Sequence, residues 1–183
     1  ENIYKESKQE IYNEDKNIMK TPDVIKCIDK QLKCLNILKK DVIFTTGVCN
    51  HQMWTSQHIK WTHPGKLITS GSLGTMGVGV PFAIGSKLAN PGKMVICIDG
   101  DSSFTMTSNE LQTLLEYDIP IKIAIMNDSR QQMVHTWQKL FHNERFIGTT
   151  KKNPKFEHLG KAYNIKTITC SNRKSLNKKV KEF

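Results

Sequence analysis

Apolar positions along this chain follow two rhythms. From Thr21-Pro22 onward, Val24, Ile25, Ile28, Leu32, Leu35 and Leu38 recur at helical spacing, which predicts a helix with Pro22 tolerated in its first turn. Val42 to Thr46 is then a short β-branched run closed by Gly47, and Met94 to Ile98 and Ile121 to Met126 repeat that design. Continuous apolar runs of this kind suit strands covered on both faces, as in a parallel sheet. Between the last two, Thr107-Ser108-Asn109-Glu110 reads as a capping box leading into Leu111, Leu114 and Leu115. The resulting β-α-β unit is expected to be right-handed, which makes its strands parallel and brings their carboxyl ends to one sheet edge, where ligands bind.

Further along, Phe82 to Ala89 reads as an apolar helix, and a helix near Asn153-Pro154 carries Phe156, Leu159 and Ala162. A strand over Ile165 to Thr169 and a last helix from Ser175 are expected after it. Residues 1–20 are polar with mixed charge and read as a linker or disordered arm, leaving 21–183 as one α/β domain. Because the pattern stops on a helix at Phe183, the domain is expected to be truncated at its carboxy-terminal end.

Composition narrows the class. A chain of 183 residues, 38% hydrophobic and 24% charged, can bury a core, and it contains no run of about 18 apolar residues to span a bilayer. Its five cysteines are odd in number and form no C-x-x-C pair, which argues against a disulfide framework or a zinc ribbon and for a reducing, intracellular compartment. The net charge of +10 sits almost wholly after residue 135, in Lys151-Lys152 and Lys178-Lys179-Val180-Lys181 among others. With little aromatic interleaving this reads as a solvated lysine surface, so neither nucleic acid nor membrane is expected as a partner.

Three constellations carry chemistry. The second predicted strand leads into Asp99-Gly100-Asp101-Ser102-Ser103 and the third into Asn127-Asp128-Ser129, so two acidic loops meet at one sheet edge. Neighbouring ionised carboxylates repel unless a cation lies between them, and hard oxygen donors suit Mg²⁺ or Ca²⁺, with phosphate oxygens completing the shell. The bland alternative is that Asp101 caps a turn and Asp128 is solvated. Gly71 to Pro81 is rich in glycine without being a G-x-G-x-x-G fingerprint, and fits either a tight turn or a close ligand approach. Gly47 to Trp54 places Asn50 and His51 just past a strand, where His51 is either structural or a phosphate donor.

Gly100-Asp101-Ser102, followed after 24 residues by Asn127-Asp128, resembles the Gly-Asp-Gly to Asn-Asn signature of thiamine diphosphate enzymes, with Ser102 and Asp128 as departures. The words His51-Gln52-Met53-Trp54, Leu67 to Gly71, Leu73 to Gly77, Ile98 to Asp101, and Met133-Val134 with Trp137-Gln138 resemble the large, catalytic subunit of acetolactate synthase. This likeness covers about Val42 to Phe183. It implies a three-layer, Rossmann-like parallel sheet that binds thiamine diphosphate.

Carried over by position, the resemblance implies that Asp101 and Asp128 bind Mg²⁺ by side chain and Arg130 by its carbonyl. Asn50, where relatives carry glutamine, and His51 would hold the diphosphate with Gly100, Ser102 and Ser103. Gly74 would offer its carbonyl to the aminopyrimidine, and the cofactor would bend over Met76. Met133 would line both cofactor and substrate channel, with Trp137 further along the channel; Gln132 replaces a usual glycine. The implied reaction is that of a transferase in branched-chain amino-acid biosynthesis, joining two pyruvates, or pyruvate and 2-ketobutyrate, with loss of CO₂. The family's catalytic glutamate comes from a partner subunit's pyrimidine-binding domain and is absent from this chain, as is the FAD-binding domain. The segment alone is therefore expected to be inactive, and a homodimer, with a regulatory small subunit as a further possible partner, is implied. Another thiamine diphosphate carboligase or decarboxylase, or a non-catalytic Mg-diphosphate-binding relic, are the alternatives.

Overall fold

The computed structural model describes residues 18–183, so all but the last three residues of the expected amino-terminal arm lie outside the described residues. In chain order it shows α1 (Thr21–Cys34), β1 (Val42–Thr46), α2 (Asn50–His58), β2 (Leu67–Ile68), α3 (Gly79–Ala89) and β3 (Met94–Gly100). These are followed by α4 (Asp101–Met106), α5 (Leu111–Glu116), β4 (Lys122–Met126), α6 (Gln132–Phe141), α7 (Phe156–Ala162) and α8 (Leu176–Glu182).

The four strands form one parallel sheet in the order β2-β1-β3-β4, with Phe44 opposite Leu67, Thr45 opposite Cys97, and Gly100 opposite Met126. Side chains alternate across it, as the two-residue period of a strand requires. Ile43, Val95 and Cys97 face one layer with Val80, Ala83, Phe104 and Leu111. Val42, Phe44, Ile96 and Ile98 face the other with Ile25, Ile28, Leu32 and Ile59. Both faces of the sheet are thus covered by helices, which explains the unbroken apolar runs and gives the expected three-layer α/β fold. Ile25 and Ile98 are fully out of water, and each such side chain contributes about 1.5–3 kcal/mol.

The chain leaves β1 toward β2 on one side and returns to β3 on the other. The strand order therefore reverses between β1 and β3, and the loops after these two strands diverge to opposite layers. In open α/β sheets a crevice forms at that point, beyond the carboxyl ends of the strands.

Several local expectations are corrected. The first helix stops at Cys34, and Leu35 and Leu38 are exposed because the chain turns there into the 3₁₀ turn Lys39–Asp41 that feeds β1. The capping box does not form: Thr107 Oγ1 donates to Gly77 O at 2.6 Å, which joins the glycine-rich loop to the α4–α5 crossover instead of closing a helix end. The expected strand over 165–169 is no strand. Ile165 N–H donates back to Gly160 O at 2.9 Å, closing α7, and Ile165 packs on the core without joining a ladder. The helices α2 and α6 and the short strand β2 were not among the expected elements.

Candidate functional site

Strand β3 continues two residues past Ile98, so Asp99 lies inside the sheet, and the chain passes from Gly100 straight into α4 at Asp101. Asp101 is buried, yet carries a charge-bearing group at the carboxyl edge. Its Oδ2 accepts the Ser129 N–H at 2.7 Å and a short hydrogen bond from Asn153 Nδ2, whereas Oδ1 meets only the Ser102 hydroxyl at 3.3 Å. One carboxylate oxygen is held and the other is left toward the loop.

Asp128 stands in the loop after β4, with Ser129 next to it in the left-handed region at φ 58°. The Arg130 N–H donates to Asp128 Oδ1 at 3.1 Å. Desolvation raises the Asp128 carboxyl above its ordinary range, and the Asp101 charge raises it further against the opposing pull of Arg130. Asp128 itself is exposed, and the Ser129 N–H on Asp101 Oδ2 brings its loop against Asp101, so the two acidic groups are neighbours across the ends of β3 and β4. A hard divalent cation relieves that repulsion, and two carboxylates with neighbouring backbone carbonyls are a donor set suited to Mg²⁺. Among the described residues no three His, Cys, Asp or Glu side chains converge as a metal cluster, which leaves this oxygen pair as the arrangement to consider.

Beside it, α2 begins at Asn50, partly exposed, and His51, buried. The His51 ring lies on Gly100: a Cβ built there would sit 2.8 Å from its Nδ1. Its Nε2 lies 3.3 Å from Asp99 Oδ1, so both ring nitrogens lie against the end of β3, as the structural reading of His51 requires. Cys49, just ahead, accepts the Met133 N–H on its Sγ at 3.3 Å, linking the β1 loop to α6, and burial pushes its thiol up.

The glycine-rich loop is fixed from below. Ser103 Oγ accepts the Gly77 N–H at 2.9 Å, so that hydroxyl is turned into the fold and not toward the loop mouth. Gly74, at φ 62°, is exposed on the far side of that loop, and Met76 is half-buried near its centre. Arg130 is exposed and pairs with Thr150 in an isolated antiparallel bridge. Met133 is half-buried on α6, and Trp137 one turn on is exposed, its ring 4.7 Å from that of Phe141.

The structure thus brings Asn50, His51, Gly100, Asp101, Ser102 and Asp128 to the edge where the strand order reverses. Sequence reasoning missed Asp99, Lys151 and Asn153. An aspartate ending an otherwise apolar strand was a readable signal for the first. Lys151 Nζ lies 3.3 Å from the Asp101 carbonyl, a contact with no local sequence signature. Concavity and chemistry part company here: one groove, lined by Lys33, Asn36, Lys39, Lys40 and His63, lies ahead of β1 at the opposite edge.

The family model described as thiamine pyrophosphate enzyme, C-terminal TPP binding domain, matches residues 47–183. The chain is 48% identical over 166 residues to the mitochondrial acetolactate synthase of Schizosaccharomyces pombe, covering 91% of this chain and 24% of that protein. It is 46% identical over 156 residues to the mitochondrial acetolactate synthase catalytic subunit of Saccharomyces cerevisiae, covering 85% and 23%. With the acetolactate synthase isozyme 2 large subunit of Escherichia coli it shares 46% over 126 residues, covering 68% and 23%. The chain spans about a quarter of the length of these curated relatives.

Proposed function

The chain belongs to the thiamine pyrophosphate enzyme family, within its C-terminal cofactor-binding domain, and from this premise we propose that it is that segment of an acetolactate synthase catalytic subunit. The observation that carries the proposal is the Ser129 N–H bond to Asp101 Oδ2, which brings the Asp128 loop against Asp101 at the carboxyl ends of β3 and β4, in a chain so similar to named acetolactate synthases.

In this reading Asp101 and Asp128 hold Mg²⁺ by their carboxylates and Arg130 by its carbonyl. Asn50, His51 and the backbone at the start of α4, at Ser102 and Ser103, receive the diphosphate, the Ser103 hydroxyl itself being held by the Gly77 N–H. Gly74 and Met76 face the ring end of the cofactor. Bound thiamine diphosphate supplies an electron sink for the pair left when a 2-keto acid loses CO₂. The protein's share is to place it: the metal offsets the diphosphate charge, and the half-buried Met133 with Trp137 walls the approach of pyruvate or 2-ketobutyrate with apolar surface. The family glutamate, an FAD-binding domain, a homodimer partner and a regulatory small subunit belong to the whole enzyme in this proposal. All five cysteines are free thiols, which supports a reducing compartment.

Asp128 in place of the family's asparagine supports a second reading, a relic that holds Mg-diphosphate without turnover. Incubating the intact gene product with pyruvate, thiamine diphosphate and Mg²⁺ separates the two. Acetolactate is the expected product; cofactor binding without it favours the relic, and loss of both refutes the site.

A further inference from the structure

We propose that Asn153 is a positioning residue for the metal site, a reading that rests on the Mg-diphosphate assignment above and deepens it. Asn153 lies 27 residues past the end of β4 in the segment that leads into α7, yet its side chain reaches both acidic loops. Nδ2 donates a short hydrogen bond to Asp101 Oδ2 and lies 2.7 Å from Asn127 Oδ1 and 3.5 Å from Ser129 Oγ.

The chemistry of those partners fixes the orientation of the amide. An amide NH₂ has two protons, and a carboxylate and an amide carbonyl are two acceptors that use them. Turning the group over would set Oδ1 against both acceptors. In the observed orientation Oδ1 is buried without a hydrogen-bond partner among the described residues. A buried acceptor left unpaired is costly, so the donor side is the side the site uses.

The segment that delivers Asn153 is itself fastened to the metal loop. Gln131 N–H donates to Thr149 O at 2.8 Å, and Lys151 N–H to Ser129 O at 3.0 Å. Lys151 Nζ adds contacts of 3.3 Å to the Asp101 carbonyl and to Thr105 Oγ1. Asn153 therefore ties the end of β3 to the end of β4 through a third strand of backbone. With Oδ2 tethered by the Ser129 N–H and by Asn153, the Asp101 carboxylate is held in an orientation that leaves Oδ1, met only by the Ser102 hydroxyl at 3.3 Å, for coordination. Without Asn153 only the Ser129 N–H remains, and part of the cost of ordering Asp101 falls on metal binding. Partners of this kind, which orient a ligand without touching the metal, change metal affinity by about 10–100-fold when removed.

The test is a Mg²⁺ titration of the intact gene product at fixed thiamine diphosphate, followed by calorimetry and by quenching of tryptophan fluorescence. Asn153→Ala is expected to raise half-saturating Mg²⁺ by about 10-fold or more, with full cofactor binding regained at high Mg²⁺. Asn153→Ser, which keeps a shorter donor, is expected to fall between. Unchanged half-saturation in both variants overturns the inference. So does a lowered binding amplitude at every Mg²⁺ concentration with an unmoved midpoint, the signature of a merely structural role. If the wild-type protein itself shows no Mg²⁺-dependent binding, it is the cofactor assignment that fails.

Discussion

His51 and Asp99 meet inside the protein, beneath the carboxyl edge of the sheet: Nε2 lies 3.3 Å from Oδ1, with both side chains withdrawn from water. Asp99 Oδ1 accepts the Gly100 N–H at 2.9 Å, while His51 Nε2 and Asp99 Oδ2 have no hydrogen-bond partner among the described residues. The carboxylate sits in a cradle made by two glycines, one from the β1 loop and one from the start of α3. A Cβ at Gly47 would fall 2.1 Å from Asp99 Oδ1, and one at Gly79 would fall 2.4 Å from Oδ2. At the strand-order reversal, then, lies a buried carboxyl group that only glycine neighbours leave room for.

Gly47→Ala and Gly79→Ala are expected to destabilise the fold by about 1–3 kcal/mol or more, because the new methyl meets a buried carboxylate and, at Gly79, the Gly47 backbone nitrogen at 2.8 Å. Gly85→Ala on α3 meets nothing within 4 Å and is expected to stabilise by about 0.5–1 kcal/mol through helix propensity. Urea denaturation of the three variants checks the contrast. Equal effects at Gly47 and Gly85 would discard the cradle.

Asp99→Ala strips the Gly100 N–H of its acceptor and takes the neighbouring carboxylate from His51 Nε2, and an unsatisfied buried donor costs about 1–3 kcal/mol. Asp99→Asn keeps an acceptor oxygen and is expected to recover part of that loss. Melting temperatures of both variants beside the wild type measure it, and an Ala variant as stable as the parent would show the pair to be incidental.

Asp128 is held above the ordinary carboxyl value by desolvation first and the Asp101 charge second. A carboxyl raised in the folded state binds more protons there than in the unfolded chain, so its contribution favours folding at low pH. That contribution is lost as pH rises from the ordinary value of 3.8 through the raised one. Asp128→Asn is thus expected to make the metal-free protein more stable at neutral pH and to flatten its stability in that window. The same variant is expected to bind Mg²⁺ more weakly. Thermal melts from pH 3 to 7 with and without Mg²⁺ report both signs; a variant less stable without metal contradicts the repulsion.

Asp101→Ala removes the carboxylate that Ser129 and Asn153 hold in place. Thiamine diphosphate binding by the intact gene product is expected to require a divalent ion, and this variant is expected to abolish it. Calorimetry with and without Mg²⁺ decides, and undiminished binding to the variant removes Asp101 from the role.

Much of this arrangement is legible in the chain because it is local. The apolar runs of β1, β3 and β4 announce a sheet buried on both faces, and Gly100-Asp101 and Asn127-Asp128 follow those strands directly, so topology alone brings them to one edge. The failures are equally physical. Thr107 had the sequence of a capping residue, but its hydroxyl is turned away to donate to the Gly77 carbonyl and accepts no N–H of the following turn. Ile165 to Thr169 had the composition of a strand, but its first residue closes α7 and it joins no ladder.

By itself, then, the sequence determined the layers, the parallel order and the placing of acidic loops at a strand edge, since each follows from periodicity and from the handedness of a β-α-β crossover. Only the tertiary structure decided what holds those loops. Asp99 meets a histidine 48 positions earlier, and Asn153 reaches two strand ends from beyond a whole helix, because side-chain hydrogen bonds depend on position in space, and the distance along the chain between their partners leaves no local pattern to read.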